Sequence, residues 1–314
     1  AMFSKNIIGT AMGLVLGIGY TGNGFGQSFL GAALLPALTE SMGEKTAWQL
    51  CLVITGAVGF FAALVALFLA DDTPQIKYYT KKENESEQGT PFLSKVRAGS
   101  LIQASKHYGT WILAFQYAMS SGTNAALMNI GNLYFVREAG ATSEQASAIT
   151  SAVGWLGVTC FIGGLLSDTA NKKMEKLRGR YLVQLGNLGL EGVLIIIFPF
   201  SKNLGLSAFI FISASMFATL AVGSTSALVP YVDKEVVGSV AGIIGFFGGL
   251  GGILLIALTS QLSYTTSCII CGSLVILSGF LALSLQLDGK DTSENNITQE
   301  EDKIIEHTAE DEGV

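Results

Sequence analysis

The chain has 314 residues, of which 50% are hydrophobic and only 13% are charged; its mean hydropathy is +0.50 and its net charge is −6. Soluble domains carry roughly 25% charged residues. This composition excludes an ordinary soluble enzyme or a nucleic-acid-binding domain and predicts an all-α polytopic membrane protein with the lipid bilayer as its surroundings.

Eight apolar segments follow one another along the chain, each long enough to cross a bilayer core of ~30 Å as a helix. They lie at about Ile7–Leu38, Ala47–Ala70, Thr110–Phe135, Ala146–Leu166, Tyr181–Phe200, Leu204–Val229, Val237–Leu262 and Tyr264–Leu287. We predict four regions: two spans in residues 1–70, a charged cytosolic linker in 71–107, six spans in 108–287, and a tail in 288–314. The tail has ten acids and two lysines, which is typical of a disordered, solvated segment.

The basic residues predict the orientation of the spans. If successive loops alternate between the two sides, 15 of the 18 Lys and Arg residues fall on one side, and only Lys45, Arg137 and Lys202 fall on the other. Cytosolic loops are enriched in Lys and Arg. The first span is therefore predicted to run outward, and the acidic tail to lie in the cytosol.

The first span contains the glycine-rich segment GIGYTGNGFGQ, residues 17–27, whose beginning matches the dinucleotide-binding pattern G-x-G-x-x-G. That pattern requires a short strand before it and a partly solvated helix after it. Here 34 consecutive residues, 6–39, carry no charge. We therefore interpret the glycines as membrane-helix packing positions and expect no cofactor.

Cysteine and histidine give no sign of a metal or catalytic centre. Cys268 and Cys271 form a C-x-x-C pair, but the pair lies inside an apolar span with no histidine or acid beside it. No nucleophile–base arrangement can be assembled from the chain. We do not expect an enzyme.

A second glycine-rich segment, GSVAGIIGFFGGLGG at residues 238–252, lies in the seventh span, six spans after the first. Glycines recur four residues apart in both segments, a spacing that lets helix backbones approach closely in a membrane. A six-span interval between similar helices is typical of transporters built from two parallel six-helix halves.

Further segments along the chain carry a family resemblance. They are MFSKNIIGTA, TAWQLCLVITG, TWILAFQYAMSSGT with NIGNLYF, GGLLSD followed by LRGR, LVPYV, and GSVAGIIGFFGG. In their order and spacing they resemble the nitrate/nitrite porter family of the major facilitator superfamily, in particular the high-affinity nitrate transporters of plants and algae. The resemblance implies that the eight spans are helices 5–12 of a major facilitator fold, and we expect helices 1–4 to lie outside this sequence.

The resemblance also implies a function. Members of that family move nitrate or nitrite across a membrane by alternating access, coupled to protons or by anion exchange. It implies a small inorganic anion as the partner, a monomer with room for an accessory protein, and a plasma-membrane location.

In the family, two arginines clamp the anion, one in helix 2 and one in helix 8. The helix 8 arginine lies eight residues before the Asp of GGLLSD, and that position here is Cys160. The resemblance further assigns Tyr117 and Asn129 to the substrate cavity, with Asn23 and Gln27 from the first glycine segment. The glycines that match the two family motifs are Gly17, Gly19, Gly22, Gly24, Gly242, Gly245, Gly248 and Gly251.

Two acids are candidates for a role in the transport cycle. Asp168 begins a loop that resembles the facilitator loop motif, and we expect it to gate the cytosolic opening through Arg178, Arg180 or helix ends. Glu191 is the acid deepest in a span, and an intramembrane carboxylate is a functional candidate. It is either a proton carrier or a locally hydrogen-bonded residue.

Two other functions remain open because Cys160 replaces the arginine. The protein could carry another small, neutral solute, or it could be a sensor that transports nothing and signals through residues 288–314.

Overall fold

A computed structural model describes residues 7–69, 100–174, 177–233, 236–285 and 287. Most of the predicted linker, residues 71–99, and the predicted acidic tail lie outside the described residues. Within the described ranges, every regular element is a helix, as the composition predicts.

The first two predicted spans form one interrupted helix and one continuous helix. Helix α1 (Ile8–Phe25) passes through a π-helical segment (Gly26–Leu34) into α2 (Leu35–Met42), and α3 (Glu44–Leu69) follows. Gly43 separates α2 from α3 with a φ of 80°, a left-handed conformation that favours glycine. This turn ends one span and starts the next.

The remaining described chain forms a bundle that we number onward from a short helix at residues 100–106, α4. The longer helices are α5 (Tyr108–Arg137), α6 (Ser143–Trp155), α7 (Thr159–Lys172), α8 (Arg178–Ile197), α9 (Leu204–Ser226), α10 (Val237–Gln261) and α11 (Tyr264–Leu281). A 3₁₀ turn at Leu156–Val158 joins α6 and α7 into a single rod. Side-chain caps fix three starts: Thr142 with Gln145 in a capping box, Asn203 and Ser263.

Six of the described helices are long and apolar enough to cross a membrane. They are Glu44–Leu69, Ser143–Lys172, Arg178–Phe200, Leu204–Tyr231, Val237–Gln261 and Tyr264–Ser284. The other two predicted spans, the α1–α2 helix and α5, are also helical but more polar. Helix α5 buries Gln116, Ser120 and Thr123, because it faces other helices as well as lipid.

The core of the bundle rests on close helix pairs, the most extensive being α5 with α10, α8 with α11, and α1 with α7. At the α8–α11 contact, a Cβ added to Gly192 would lie 2.6 Å from the carbonyl oxygen of Gly272, and the reverse holds for Gly272. Small residues therefore set the distance between these helices. Tyr134, Phe135, Phe198 and Phe211 fill the space beyond the helix pairs.

Helix α3 is the exception to this packing. Ala47 is its one buried residue, and α2 is its main contact. A 26-residue helix that is apolar on all sides requires lipid or other apolar helices around it.

Candidate functional site

The two predicted halves meet along α1 and α7, where glycines bring the backbones together. A Cβ on Gly13 would lie 2.7 Å from the Cys160 carbonyl oxygen, and one on Gly24 would lie 2.6 Å from the backbone nitrogen of Trp155. One on Gly17 would lie 3.2 Å from the Gly157 carbonyl oxygen. The first glycine segment therefore packs helix against helix across the boundary between the halves.

The glycines of the first segment fall on two faces. Gly17 and Gly24 are buried at the α7 side, whereas Gly19 and Gly22 have no atom within 4 Å of an added Cβ. The second pair therefore lies on the face of α1 that points away from α7. Packing against the described helices explains only half of the predicted motif.

At one end of this boundary, where α7 finishes and α1 and α8 begin, Asp168 joins all three helices. We call it the Asp168 end. One carboxylate oxygen accepts from the Gly9 backbone N–H at 3.1 Å, and the other accepts from the N–H and the hydroxyl of Thr10, both at 2.6 Å. Arg180 Nη2 lies 2.8 Å from Asp168 Oδ1, and both side chains are buried.

Further contacts hold the arginine of this pair in place. Arg180 Nη1 donates to Ser167 Oγ at 3.2 Å, Nη2 donates to the Tyr231 hydroxyl at 3.4 Å, and the guanidinium lies 5.2 Å from the Tyr231 ring centre. Arg178, the other candidate partner of Asp168, is exposed. Gly9 leaves room for this junction, since an added Cβ would lie 2.7 Å from the carboxylate.

A cluster of hydroxyl groups spans the same boundary near mid-depth. The Tyr20 hydroxyl on α1 lies 3.1 Å from the Tyr117 hydroxyl and 3.1 Å from Ser121 Oγ, both on α5. At ~1.5 Å per residue, these tyrosines stand about 14 to 18 Å from the starts of their helices. Sequence reasoning identified Tyr117 but not Tyr20.

The second glycine segment makes room for this cluster. A Cβ on Gly248 would lie 2.6 Å from the Tyr117 ring, and one on Gly251 would overlap the Ala118 backbone. Gly242 and Gly245 have open space instead. Two of the four motif glycines of α10, Gly248 and Gly251, therefore allow α5 and Tyr117 to pack closely against α10.

Cys160 is fully buried on α7, where its backbone packs against Gly13 of α1. Across the ranges that the structure describes, Arg180 is the single Lys or Arg that is buried, and Asp168 holds it at the end of the bundle. The centre of the boundary thus offers hydroxyls and a thiol as hydrogen-bonding groups.

The remaining predicted cavity residues make no hydrogen bond to this cluster among the described residues. Asn129 is exposed and donates to the Ala125 carbonyl of its own helix at 2.8 Å. Asn23 is exposed on α1, and Gln27 is half-buried in the π-helical segment. The structure joins Tyr117 to Tyr20 and Ser121, and among the described residues no hydrogen bond links Asn129, Asn23 or Gln27 to them.

A second set of polar residues lies inside the bundle of α5 to α11. We call this bundle the six-helix unit, because α6 and α7 form a single rod. Gln184 Nε2 donates to Thr225 Oγ1 at 2.6 Å and to Gln116 Oε1 at 3.4 Å, and Ser224 donates to Gln184 Oε1. Asn187 Nδ2 donates to Ser224 Oγ at 3.2 Å. Sequence reasoning missed this network, although the 4-3-4 spacing of Arg180, Gln184, Asn187 and Glu191 marks one polar face of α8.

Glu191 continues that polar face and is completely buried. Neither of its carboxyl oxygens has a hydrogen-bond partner among the described residues. An isolated buried charge is costly. The structure therefore presents a carboxyl group whose surroundings favour its neutral form.

Comparisons with known proteins agree with the architecture. The model of the Major Facilitator Superfamily matches residues 1–256. The chain is 26% identical over 266 residues to "High affinity nitrate transporter 2.7" of Arabidopsis thaliana, covering 81% of this chain and 53% of the relative. It is also 26% identical over 257 residues to "Nitrate transporter 2.2" of Chlamydomonas reinhardtii, covering 81% and 49%.

A bacterial relative extends the range of these similarities. "Nitrate/nitrite transporter NrtP" of Nostoc punctiforme is 21% identical over 343 residues, covering 89% of this chain and 68% of the relative. The chain spans about half the length of the plant and algal relatives that it matches.

Proposed function

The chain belongs to the Major Facilitator Superfamily, and on that basis we propose that it forms part of a secondary transporter that carries nitrate or nitrite by alternating access. The chain is a membrane protein of a transporter family rather than an enzyme. The observation that carries the proposal is the hydroxyl cluster of Tyr20, Tyr117 and Ser121, which joins the two halves near mid-depth. Substrate sites of this superfamily lie between the halves near the bilayer midplane.

The hydroxyls of this cluster can serve a small planar anion. A phenol O–H donates a hydrogen bond, and two phenols from opposite halves can hold one oxyanion between them. Closing the halves around the anion would then need no large movement of the side chains. Names of the relatives support nitrate or nitrite as the substrate.

Cys160 supports a second candidate, a small neutral solute. Burying an anion without a nearby cation costs several kcal/mol, and the cluster contains no cation among the described residues. A neutral solute with hydrogen-bonding groups would avoid that cost. The two candidates differ in whether position 160 has to carry a positive charge.

We propose roles in the transport cycle for the two acids. Asp168 and Arg180 hold α1 against the six-helix unit, so their separation opens the Asp168 end, which the charge distribution predicts to be cytosolic. Glu191 carries the coupling proton, and the protein works as a monomer in the plasma membrane with its acidic tail in the cytosol.

Nitrate uptake by the full-length protein in cells without their own nitrate transport tests the function. We expect wild-type uptake, and we expect Cys160→Arg to change the affinity for nitrate more than the amount of protein at the membrane. Neutral-solute uptake by the wild type, combined with nitrate uptake only after Cys160→Arg, would establish the second candidate instead. Cys51→Arg on α3, away from the cluster, is the matched control.

A further inference from the structure

Five buried polar side chains inside the six-helix unit have oxygens that find no hydrogen-bond partner among the residues described by the structure. They are Thr123, Asn124, Glu191, Ser215 and Ser267, on α5, α8, α9 and α11. Buried polar groups are nearly always hydrogen-bonded to protein or to ordered water. Such a concentration in one bundle calls for a physical explanation.

The helix register places two of these side chains at the same depth. Helices α5 and α8 run in the same direction, and Gln116 and Gln184 meet at 3.4 Å. Thr123 and Glu191 each lie seven residues, about two helical turns, beyond that contact. Thr123 and Glu191 therefore lie on the same helix faces as Gln116 and Gln184, about two turns closer to the C-terminal ends of α5 and α8.

A small cavity lies about one helical turn beyond Glu191, and Ile195, not Glu191, is the residue of α8 in its lining. It has room for about one water molecule (about 10 Å³) and is lined by Thr123 and Ser267, with Ile195, Cys268 and Cys271. Ile195 lies one turn after Glu191 on the same buried face of α8. Two hydroxyls without protein partners thus line a space large enough for one water.

A larger cavity of about 930 Å³ lies beyond the small one, at the end of the bundle where α5 finishes and α9 begins. We call it the Lys202 end. Ile130 and Thr259 line both cavities, so the two are stacked along the bundle. The large cavity also contains Arg137, Glu138 and Lys202, side chains that keep its walls hydrated.

The opposite direction from Glu191 is filled. Asn187, Ser224 and Gln184 are hydrogen-bonded to one another, and α8 carries no titratable side chain between Glu191 and Tyr181. Amide groups engaged in this way do not relay protons. The two cavities therefore lie on the Lys202 side of Glu191, and the hydrogen-bonded amides lie on its Asp168 side.

We propose that the stacked cavities form a proton-access route from the Lys202 end to Glu191, separate from the hydroxyl cluster between the halves. A proton from water in the large cavity passes to Glu191 through a water held by Thr123 and Ser267, and the carboxylate becomes a carboxyl. The proposal rests on the proposed function in one respect, since it gives the coupling proton its route.

The surroundings of Glu191 contain few competing groups. Helix α11 contributes the thiols of Cys268 and Cys271, and α5 contributes Tyr134 at the large cavity. Helix α9 contributes the hydroxyl of Ser215, and on α8 itself the charge of Arg180 is neutralised by Asp168. Glu191 is the one acid on α8, and its side chain is fully buried in the bundle.

Infrared difference spectroscopy of the full-length protein in sealed, oriented vesicles tests the route without relying on transport. We expect the C=O stretch of a protonated carboxyl in the wild type and its loss in Glu191→Gln. Deuterium oxide added on the Lys202 side should shift that band rapidly, and addition on the other side should not. The proposal is overturned if the band survives in Glu191→Gln or exchanges equally from both sides.

Variants of the route sharpen this test. Thr123→Val combined with Ser267→Ala should slow the deuterium exchange at Glu191 by roughly tenfold or more, because the water loses its hydroxyl partners. Ser273→Ala is the matched control, since Ser273 is exposed on α11 and donates only to the Ile269 carbonyl. An unchanged exchange rate in the double variant would refute the route.

A transport measurement on the same vesicles separates this inference from the proposed function. Glu191→Gln should abolish nitrate accumulation driven by a pH gradient and retain nitrate exchange at equal pH. If the wild type moves no nitrate in either mode, the proposed function fails while the infrared result still decides the proton route.

Discussion

Glycines pack helices closely both at the boundary between α1 and α7 and in the interior of the six-helix unit, but the polar groups of the two regions differ. In both, glycines let backbones touch. At the boundary, the main polar side chains are paired: Asp168 with Arg180 and α1, Tyr20 with Tyr117. In the interior around Glu191, several are not. Polar groups that are paired across the boundary favour one arrangement of the halves. Buried polar groups without a protein partner need a bound water or, for a carboxylate, a proton to offset the cost of burial.

The largest expected effect comes from breaking the charged junction at the boundary. Asp168→Asn leaves Arg180 buried without its counter-ion, which typically costs about 3–5 kcal/mol. We expect a lower unfolding temperature and a wider distance between spin labels at the Asp168 ends of α1 and α7. Arg178→Gln, at an exposed position, is the control and should change neither quantity.

The double variant Asp168→Asn with Arg180→Gln makes the comparison sharper. Because it removes both charges, it should recover part of the lost stability while the spin-label distance stays wide. If the junction only stabilises the fold and does not hold the halves together, the spin-label distance should stay at its wild-type value in Asp168→Asn and in the double variant.

Glycine substitutions compare the two regions directly. Gly13→Ala at the boundary and Gly192→Ala in the interior both insert a methyl group against backbone, at a cost of about 1–3 kcal/mol. We expect Gly192→Ala to lower the unfolding temperature, and Gly13→Ala mainly to weaken closure of the halves, measured by cross-linking of α1 to α7. Gly186→Ala, on an exposed face of α8 with open space around it, should be neutral.

Removing single hydroxyls should have the smallest effect. Tyr20→Phe and Tyr117→Phe each delete one hydrogen-bonding group of the cluster, worth about 0.5–1.5 kcal/mol. The apparent affinity for the transported solute should fall by a few-fold to about tenfold in an uptake assay. Asn129→Ala, whose amide contacts its own helix, should stay close to wild type; an equal loss there would place the substrate elsewhere.

Much of the fold could be predicted from the sequence because membrane spans depend on local composition. Long apolar segments were enough to predict an all-helical bundle, and six of the eight predicted spans match described helices that are long and apolar enough to cross a membrane. Helix α5 shows where composition misleads, since its buried Gln116, Ser120 and Thr123 lower its hydropathy although it lies at the centre of the bundle. The predicted positions of the linker and tail remain predictions.

The candidate site was harder to predict because it depends on which helix faces meet. Arg178 and Arg180 lie two residues apart, so they point in different directions, and only the packing of α8 shows that Arg180 faces Asp168. Tyr20 could not be matched to Tyr117 by any rule of spacing, since 97 residues separate them. The local hydrogen bond considered for Glu191 is not present among the described residues.

Asp168 also has a consequence for how the halves separate. The same carboxylate caps the positively polarised start of α1 and neutralises Arg180. Moving α1 away by a single ångström would weaken all of these bonds together, so intermediate positions are disfavoured. In the proposed transport cycle, the junction therefore has two positions, bonded and separated, and the time spent open at this end is set by how often these bonds break together.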